Sequence, residues 1–225
     1  MVAPVSQPTL TPRTWMAIAL LGAVAAGLLS LRQSDGGLTW NVWLFLQLNQ
    51  LGALAPTAWS IWTVSGLGLS AYVALALVDA PPRGRAASTA PTAAQAQAQS
   101  QLLAALIWSF VVGGLVTQGA KHLLHAARPP AVLGVDAITV IGEALMSNSM
   151  PSGHATTAAA LATLLCLSGR IGWRGQALAW LWSLGVLLSR IAVGAHWPVD
   201  VCVGLGLGIA IAHLGSALAA RGELA

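Results

Sequence analysis

The chain has 225 residues, of which 56% are apolar and 7% charged, with ten Lys and Arg against six Asp and Glu. A soluble domain carries about 25% charged residues, so this composition excludes an ordinary soluble globule, a disordered chain and a collagen-like fibre. It indicates an integral membrane protein. The net charge of +4 comes from scattered single cations, which do not form a nucleic-acid-binding patch.

A transmembrane helix needs about 20 mostly apolar residues. Six stretches qualify, at 14–31, 56–79, 102–120, 153–169, 176–190 and 199–219. The expected fold is therefore all-α, a polytopic membrane helical bundle of about six spans. It forms one domain over 1–225, with its motif-bearing core at about 102–219. The first span is read as a retained anchor rather than a cleaved leader, although Arg13 and Ala23-Val24-Ala25 would suit either. Segment 38–52 is apolar but holds Asn41, Gln47, Asn49 and Gln50, which favours a surface-lying helix over a seventh span. Stretch 80–101, with Pro81-Pro82 and an Ala/Gln/Ser/Thr run, is expected to be a flexible cytoplasmic loop. Gly169–Gly175 tightly separates the fourth and fifth spans.

Orientation follows from the loop cations. With the N-terminus inside, Arg13, Arg83, Arg85, Arg170, Arg174 and Arg221 are cytoplasmic, and Arg32, Lys121, Arg128 and Arg190 lie outside. Trp15, Trp40, Trp43, Trp59 and Trp173 fall near span ends, as an interfacial belt requires. Gly204, Gly206 and Gly208 lack the spacing of a dinucleotide fingerprint and read as close helix packing. Cys166 and Cys202 sit in apolar runs and read as small buried side chains.

Ionisable residues near a span are costly, which makes them functional candidates. Three clusters stand out: Lys121 to Pro129, Pro151 to His154, and Ser189-Arg190 with His196 and Asp200. The first ends the third span, the second opens the fourth and the third joins the fifth to the sixth. All three therefore meet at one outer face, which the motif spelling does not require. Lys121, Arg128 and Arg190 can surround one dianion. Ser152 and Gly153 open a helix whose free N–H groups favour an anion, and Pro151 suits such a start. His196 and His154 supply a nucleophile and an acid, and Asp200, four residues after His196, can hold one imidazole nitrogen protonated. Taken singly, each residue has a bland role as cap, snorkelling cation or interfacial anchor. Those roles predict neither the fixed spacings nor the shared face.

The three clusters spell K-x6-R-P, P-S-G-H and S-R-x5-H-x3-D. In this the chain resembles the type-2 phosphatidic acid phosphatase family, which shares its active site with vanadium haloperoxidases. The resemblance implies that His196 attacks phosphorus and forms a phosphohistidine, that Asp200 orients it, and that His154 protonates the leaving oxygen before water hydrolyses the intermediate. It further implies that Lys121, Arg128, Arg190, Ser152 and Gly153 bind the phosphate oxygens, with no metal and no cofactor. A bell-shaped pH–rate profile is expected, because His196 must be neutral while His154 is protonated; a profile flat from pH 5 to 8 would count against this assignment. His122 and His125 lie outside the motif pattern, and His213 reads as a packed residue. Segment 131–150, with Asp136 and Glu143, either covers the site or is a solvated loop.

The expected function is hydrolysis of a lipid phosphate or diphosphate at the extracytoplasmic face of a bacterial inner membrane. The expected partners are the bilayer and the lipid phosphate, without nucleic acid. Undecaprenyl diphosphate, phosphatidylglycerol phosphate, phosphatidic acid and a lipid A phosphate all fit, since the motifs read only the phosphate; oligomeric state is open. The competing readings are a phosphotransferase that passes the phosphoryl group to another lipid and a non-catalytic lipid-binding or transport protein. A haloperoxidase is disfavoured by the apolar spans.

Overall fold

The structure, a computed structural model, describes residues 39–66 and 92–224. Among these residues all regular structure is helical. In chain order the helices are α1 (Thr39–Leu54), α2 (Pro56–Val64), α3 (Ala93–Leu124), α4 (Pro129–Leu133), α5 (Gly153–Leu167), α6 (Trp173–Ala192) and α7 (Pro198–Ala220), with a short 3₁₀ turn at Val135–Ala137. The stretch Ala93–Leu133, which contains α3, and α7 are long and apolar enough to cross a membrane, and α5 is a shorter apolar helix. The expected span 14–31 and the 67–79 portion of the second lie outside the described residues.

One sequence expectation is corrected at α3. Residues 93–101 are not a loop but the first turns of the helix. Thr92 caps it: the Thr92 hydroxyl accepts from the Gln95 N–H at 3.3 Å, and Gln95 Oε1 accepts from the Thr92 N–H at 3.0 Å. This reciprocal box satisfies two end groups, and the Ala/Gln run that follows is rich in good helix formers. The Ala/Gln composition that suggested a loop is equally that of a well-capped helix.

The centre of the bundle is α5, whose Ala155, Thr156 and Ala158 to Leu164 are all buried. Helices in lipid gain little from burying apolar surface that lipid would cover anyway, so close contact across small residues carries their association. Gly204 and Gly208 of α7 serve that contact. A Cβ on Gly204 would lie 2.6 Å from the Ser152 carbonyl oxygen, and one on Gly208 would lie 2.9 Å from the Ala159 Cβ. Gly185 of α6 lies in the same way under the Trp62 ring of α2, 2.8 Å from a Cβ placed there.

Helix α1 departs from the expectation in part. Gln47 and Gln50 are exposed, but Asn41 and Asn49 are buried, on one face with Phe45. The period of four from 41 to 45 to 49 puts all three on the side that meets the bundle. Asn49 uses its whole amide. Nδ2 donates to the carbonyls of Thr139 (2.8 Å), Ile191 (3.1 Å) and Ala192 (3.2 Å), and Oδ1 accepts from the Thr139 N–H at 2.8 Å. Asn41 Oδ1 accepts from the Val199 N–H at 3.0 Å. These asparagines are internal fasteners rather than marks of a wet helix face. Cys202 is a second correction: it is exposed on α7, and Cys166 is half-buried.

Candidate active site

The third motif owes its spacing to the way α6 ends. Its last turn unwinds at Val193, and Gly194 takes φ +78°, a left-handed value that glycine adopts without a Cβ penalty. The chain then folds back, so that the N–H groups of Ala195 (3.0 Å) and His196 (3.1 Å) both donate to the Arg190 carbonyl. Five intervening residues are thus what returns His196 to Arg190. The next three residues start α7. Asp200 is at the third helical position, and its Oδ2 accepts from the Trp197 N–H at 2.9 Å. The same oxygen lies 3.5 Å from His196 Nδ1, with both side chains almost wholly enclosed. Asp200 therefore both caps the helix and faces the histidine.

The second motif is joined to the third by backbone. Ser152 is the N-cap of α5, and its N–H donates to the Asp200 carbonyl at 3.0 Å. The Ser152 hydroxyl does not cap its own helix. Gly153 is the first helical residue, with the Thr117 methyl of α3 at 4.0 Å from a Cβ placed there. His154 follows in the first turn, close beneath Gly66: a Cβ on that glycine would lie 3.4 Å from His154 Cδ2.

Arg128 holds the first motif in place and does more than the spacing suggests. Its Nε donates to the Ser147 carbonyl (2.7 Å), Nη1 to the Ala195 carbonyl (2.8 Å) and Nη2 to the Asn148 carbonyl (3.2 Å). A guanidinium has five N–H donors, so two remain for another acceptor. Arg128 thereby laces the segment before Ser152 to the loop before His196. Lys121 is half-buried near the end of α3, within the fields of Arg128, Arg190 and Asp200. His154 lies within those of Arg190, His196, Lys121 and Arg128.

The eight residues singled out by motif thus converge on one end of the bundle. No salt bridge to a carboxylate is formed by Lys121, Arg128 or Arg190 among the described residues. Buried polar groups normally find a partner. Here Ser152 Oγ, Arg190 Nε, His196 Nδ1 and Asp200 Oδ1 are buried without a hydrogen bond, and all four belong to this cluster. Burial draws the His196 imidazole down to about 4, and the adjacent Asp200, which raises it, only partly opposes this. The ring is therefore neutral at physiological pH.

His122 and His125 are exposed at the end of α3, where His125 makes the left-handed cap with φ 46°. Segment 131–150 is tied down across this end: the Ile141 N–H donates to Val193 O (3.1 Å), the Arg128 N–H to Met146 O (2.9 Å) and the Ser149 N–H to Ala126 O (3.0 Å). Asp136 and Glu143 stay exposed on it. Three residues at the site were missed in the sequence. Ser149 donates its hydroxyl to Asp200 Oδ2. Trp197 donates its indole N–H to the Ala127 carbonyl at 2.9 Å, and Phe45 packs on its ring with centroids 5.1 Å apart. A Ser two residues ahead of P-S-G-H and a Trp after the histidine were the available signals.

Fold and site together define an α-helical bundle with a cation-rich, partly unsatisfied polar cluster at the end where α3, α5, α6 and α7 meet. Comparison with known proteins supplies the family. Residues 102–221 match the model of the PAP2 superfamily, and the chain belongs to that superfamily. It is 30% identical over 192 residues to a lipid A 1-phosphatase of Rhizobium johnstonii, covering 76% of this chain and 77% of the relative. It is 29% identical over 125 residues to an undecaprenyl-diphosphatase of Sulfolobus acidocaldarius, covering 53% of this chain and 56% of that relative. The match therefore spans little more than half the length of the latter. Two crystal structures share the fold. LpxE of Aquifex aeolicus aligns with a TM-score of 0.62 at 20% identity, over 84% of this chain and 99% of that one. A PAP2-type phosphatidylglycerolphosphate phosphatase of Bacillus subtilis aligns with 0.63 at 16% identity, over 91% and 96%. The resemblance carried by the three motifs holds at the level of the superfamily.

Proposed function

We propose that the protein is an integral membrane lipid phosphatase that acts through a phosphohistidine, without a metal. The observation that carries this reading is the cluster of buried donors without a partner, Ser152 Oγ and Arg190 Nε, beside the enclosed His196 and Asp200 and among three cations that form no salt bridge to a carboxylate among the described residues. Such a cluster is costly unless a ligand completes it, and an anion with several oxygens has the matching chemistry.

In this reading His196 Nε2 attacks phosphorus while Nδ1 faces Asp200. A P–N bond forms, the P–O bond to the lipid breaks, and the leaving oxygen takes a proton from His154. Water then attacks phosphorus and gives its proton to His154, the P–N bond breaks and inorganic phosphate leaves. Lys121, Arg190, the two remaining donors of Arg128, and Ser152 with the N-terminus of α5 hold the non-bridging oxygens and the charge that builds on them. The relatives' names, lipid A 1-phosphatase and undecaprenyl-diphosphatase, support a lipid phosphate or diphosphate as substrate. The loop cations read from the sequence support a site at the extracytoplasmic face of a bacterial inner membrane. A substrate tail then stays in lipid while the headgroup meets the cations.

The test is phosphate release by purified protein in detergent micelles, with a chelator present. The panel is undecaprenyl diphosphate, phosphatidylglycerol phosphate, phosphatidic acid and lipid A. Release by the wild type that survives chelation and falls by at least about 10³-fold in His196→Ala supports the reading. Folded wild-type protein that releases phosphate from none of them overturns it. Transfer of the phosphoryl group to a second lipid, in place of free phosphate, would redirect it to a phosphotransferase.

A further inference from the structure

Ser149 stands outside the three motifs, fully buried, in the segment that leads into P-S-G-H. Its hydroxyl donates to Asp200 Oδ2, the oxygen that also takes the Trp197 N–H and faces His196 Nδ1. Three groups from three directions therefore converge on one carboxylate oxygen, while Oδ1 is buried without a partner. A carboxylate held by a single donor could turn about its last torsion, whose preference is broad. The Trp197 N–H alone leaves that rotation open, because it holds Oδ2 from the side of its own helix. A second donor from another chain segment fixes the plane. The same segment also ties the backbone, since the Ser152 N–H donates to the Asp200 carbonyl.

We propose that Ser149 is a positioning residue that fixes the plane of the Asp200 carboxylate and, through it, the orientation of the His196 ring. The loop that presents Ser152 and His154 is thereby coupled to the group that aligns the nucleophile. This inference rests on the phosphatase reading and adds a residue to it.

The hydroxyl also shares the negative charge of Oδ2 with His196. Removing it leaves that charge to the histidine alone, which favours its protonation and moves the acid limb of the rate profile to higher pH. The groups that face His196 are Asp200 on α7, Arg190 on α6, Arg128 ahead of α4 and His154 on α5. All four are intact in a Ser149 variant, so a moved limb reports on the carboxylate.

The experiment uses the full chain in detergent micelles with phosphatidic acid and undecaprenyl diphosphate as probes. Ser149→Ala is expected to lower kcat by about 10- to 100-fold, the worth of a hydrogen bond to a charged group, with KM within about twofold of wild type. Ser149→Thr, which keeps the hydroxyl, is expected to recover most of the loss. In an Asp200→Asn background Ser149→Ala should cost nothing further, because it acts through the carboxylate. Should Ser149→Ala not fold, Ser149→Cys, similar in size and a weak donor, is read in the same way. An active wild type beside a Ser149→Ala enzyme with unchanged kcat and acid limb overturns this inference alone. So does an equal loss in the Asp200→Asn background. A folded wild type with no phosphate release overturns the phosphatase reading, and this inference with it.

Discussion

His196 Nδ1 lies 3.5 Å from Asp200 Oδ2, four residues apart in the chain and both almost wholly enclosed. The separation exceeds an ordinary N–H···O bond, so in this state the carboxylate acts on the ring mainly as a nearby charge. That charge would grow in importance as positive charge develops on His196 during attack. Asp200→Asn keeps the shape and removes the charge. It is expected to lower kcat by about 10²–10⁴-fold with little change in KM, measured as phosphate release. A variant with unaltered kcat would show that Asp200 serves only as the cap of α7.

The pH dependence follows from burial. The unfolded chain protonates a histidine near 6.5, whereas His196 in the folded protein does so only at about 4. The neutral, attacking form therefore persists far below 6.5, and the acid limb of kcat/KM is expected near pH 4. The linkage to stability runs the same way. Between 6.5 and about 4 the unfolded state binds a proton that the folded state refuses, so stability falls as pH drops through that window. A pH series of kcat/KM beside thermal melts checks both. An acid limb near 6.5 would contradict the buried, neutral His196.

Asn49 sits on α1, outside residues 102–221, yet its side chain closes on Thr139, Ile191 and Ala192, immediately before the Gly194 turn that carries His196. Asn49→Ala removes the side-chain partner of the Thr139 N–H and of the Thr139, Ile191 and Ala192 carbonyls, of which Ile191 keeps the Gly194 N–H. A loss of about 2 kcal/mol is expected, read as a lower melting temperature in detergent. Activity should fall too, because the freed segment is the one that folds His196 back to Arg190. Unchanged melting would show that lipid or water satisfies these groups as well.

Gly204 permits α7 to touch α5 where Ser152 begins. A Cβ there would lie 2.6 Å from the Ser152 carbonyl oxygen and 2.9 Å from the Ala155 Cβ. Neither atom is the tip of a flexible chain. Gly204→Ala is therefore expected to cost about 1–3 kcal/mol and to lower activity by displacing Ser152. Gly114, beside whose Cβ position nothing lies within 4 Å, is the control: Gly114→Ala should leave both melting and activity near wild type.

The all-helical fold and the gathering of the eight motif residues at one end were legible in the sequence because a bilayer makes both conspicuous. Spans must be continuously apolar, so Lys121, Arg128, His154, Arg190, His196 and Asp200 stand out against their surroundings and their spacing can be read. The partners of Ser149, Trp197 and Asn49 left no such mark. Each of these residues acts through a main-chain group or a shared carboxylate oxygen far away in the chain: Asn49 bonds to carbonyls 90 to 143 residues on, and Ser149 to a carboxylate 51 residues on. Every residue carries the same N–H and C=O, so no side-chain pattern records which carbonyl an asparagine meets. The Asn41 and Asn49 pair was misread for that reason, since polarity alone looks the same whether it faces water or a buried backbone. Likewise the motif set Arg128 aside for an anion, whereas three of its donors brace the loops around the site. Composition and spacing carry the chemistry of the chain, because they are properties of residue type. The partners that hold that chemistry in register are selected by distance, and distances exist only once the helices have packed.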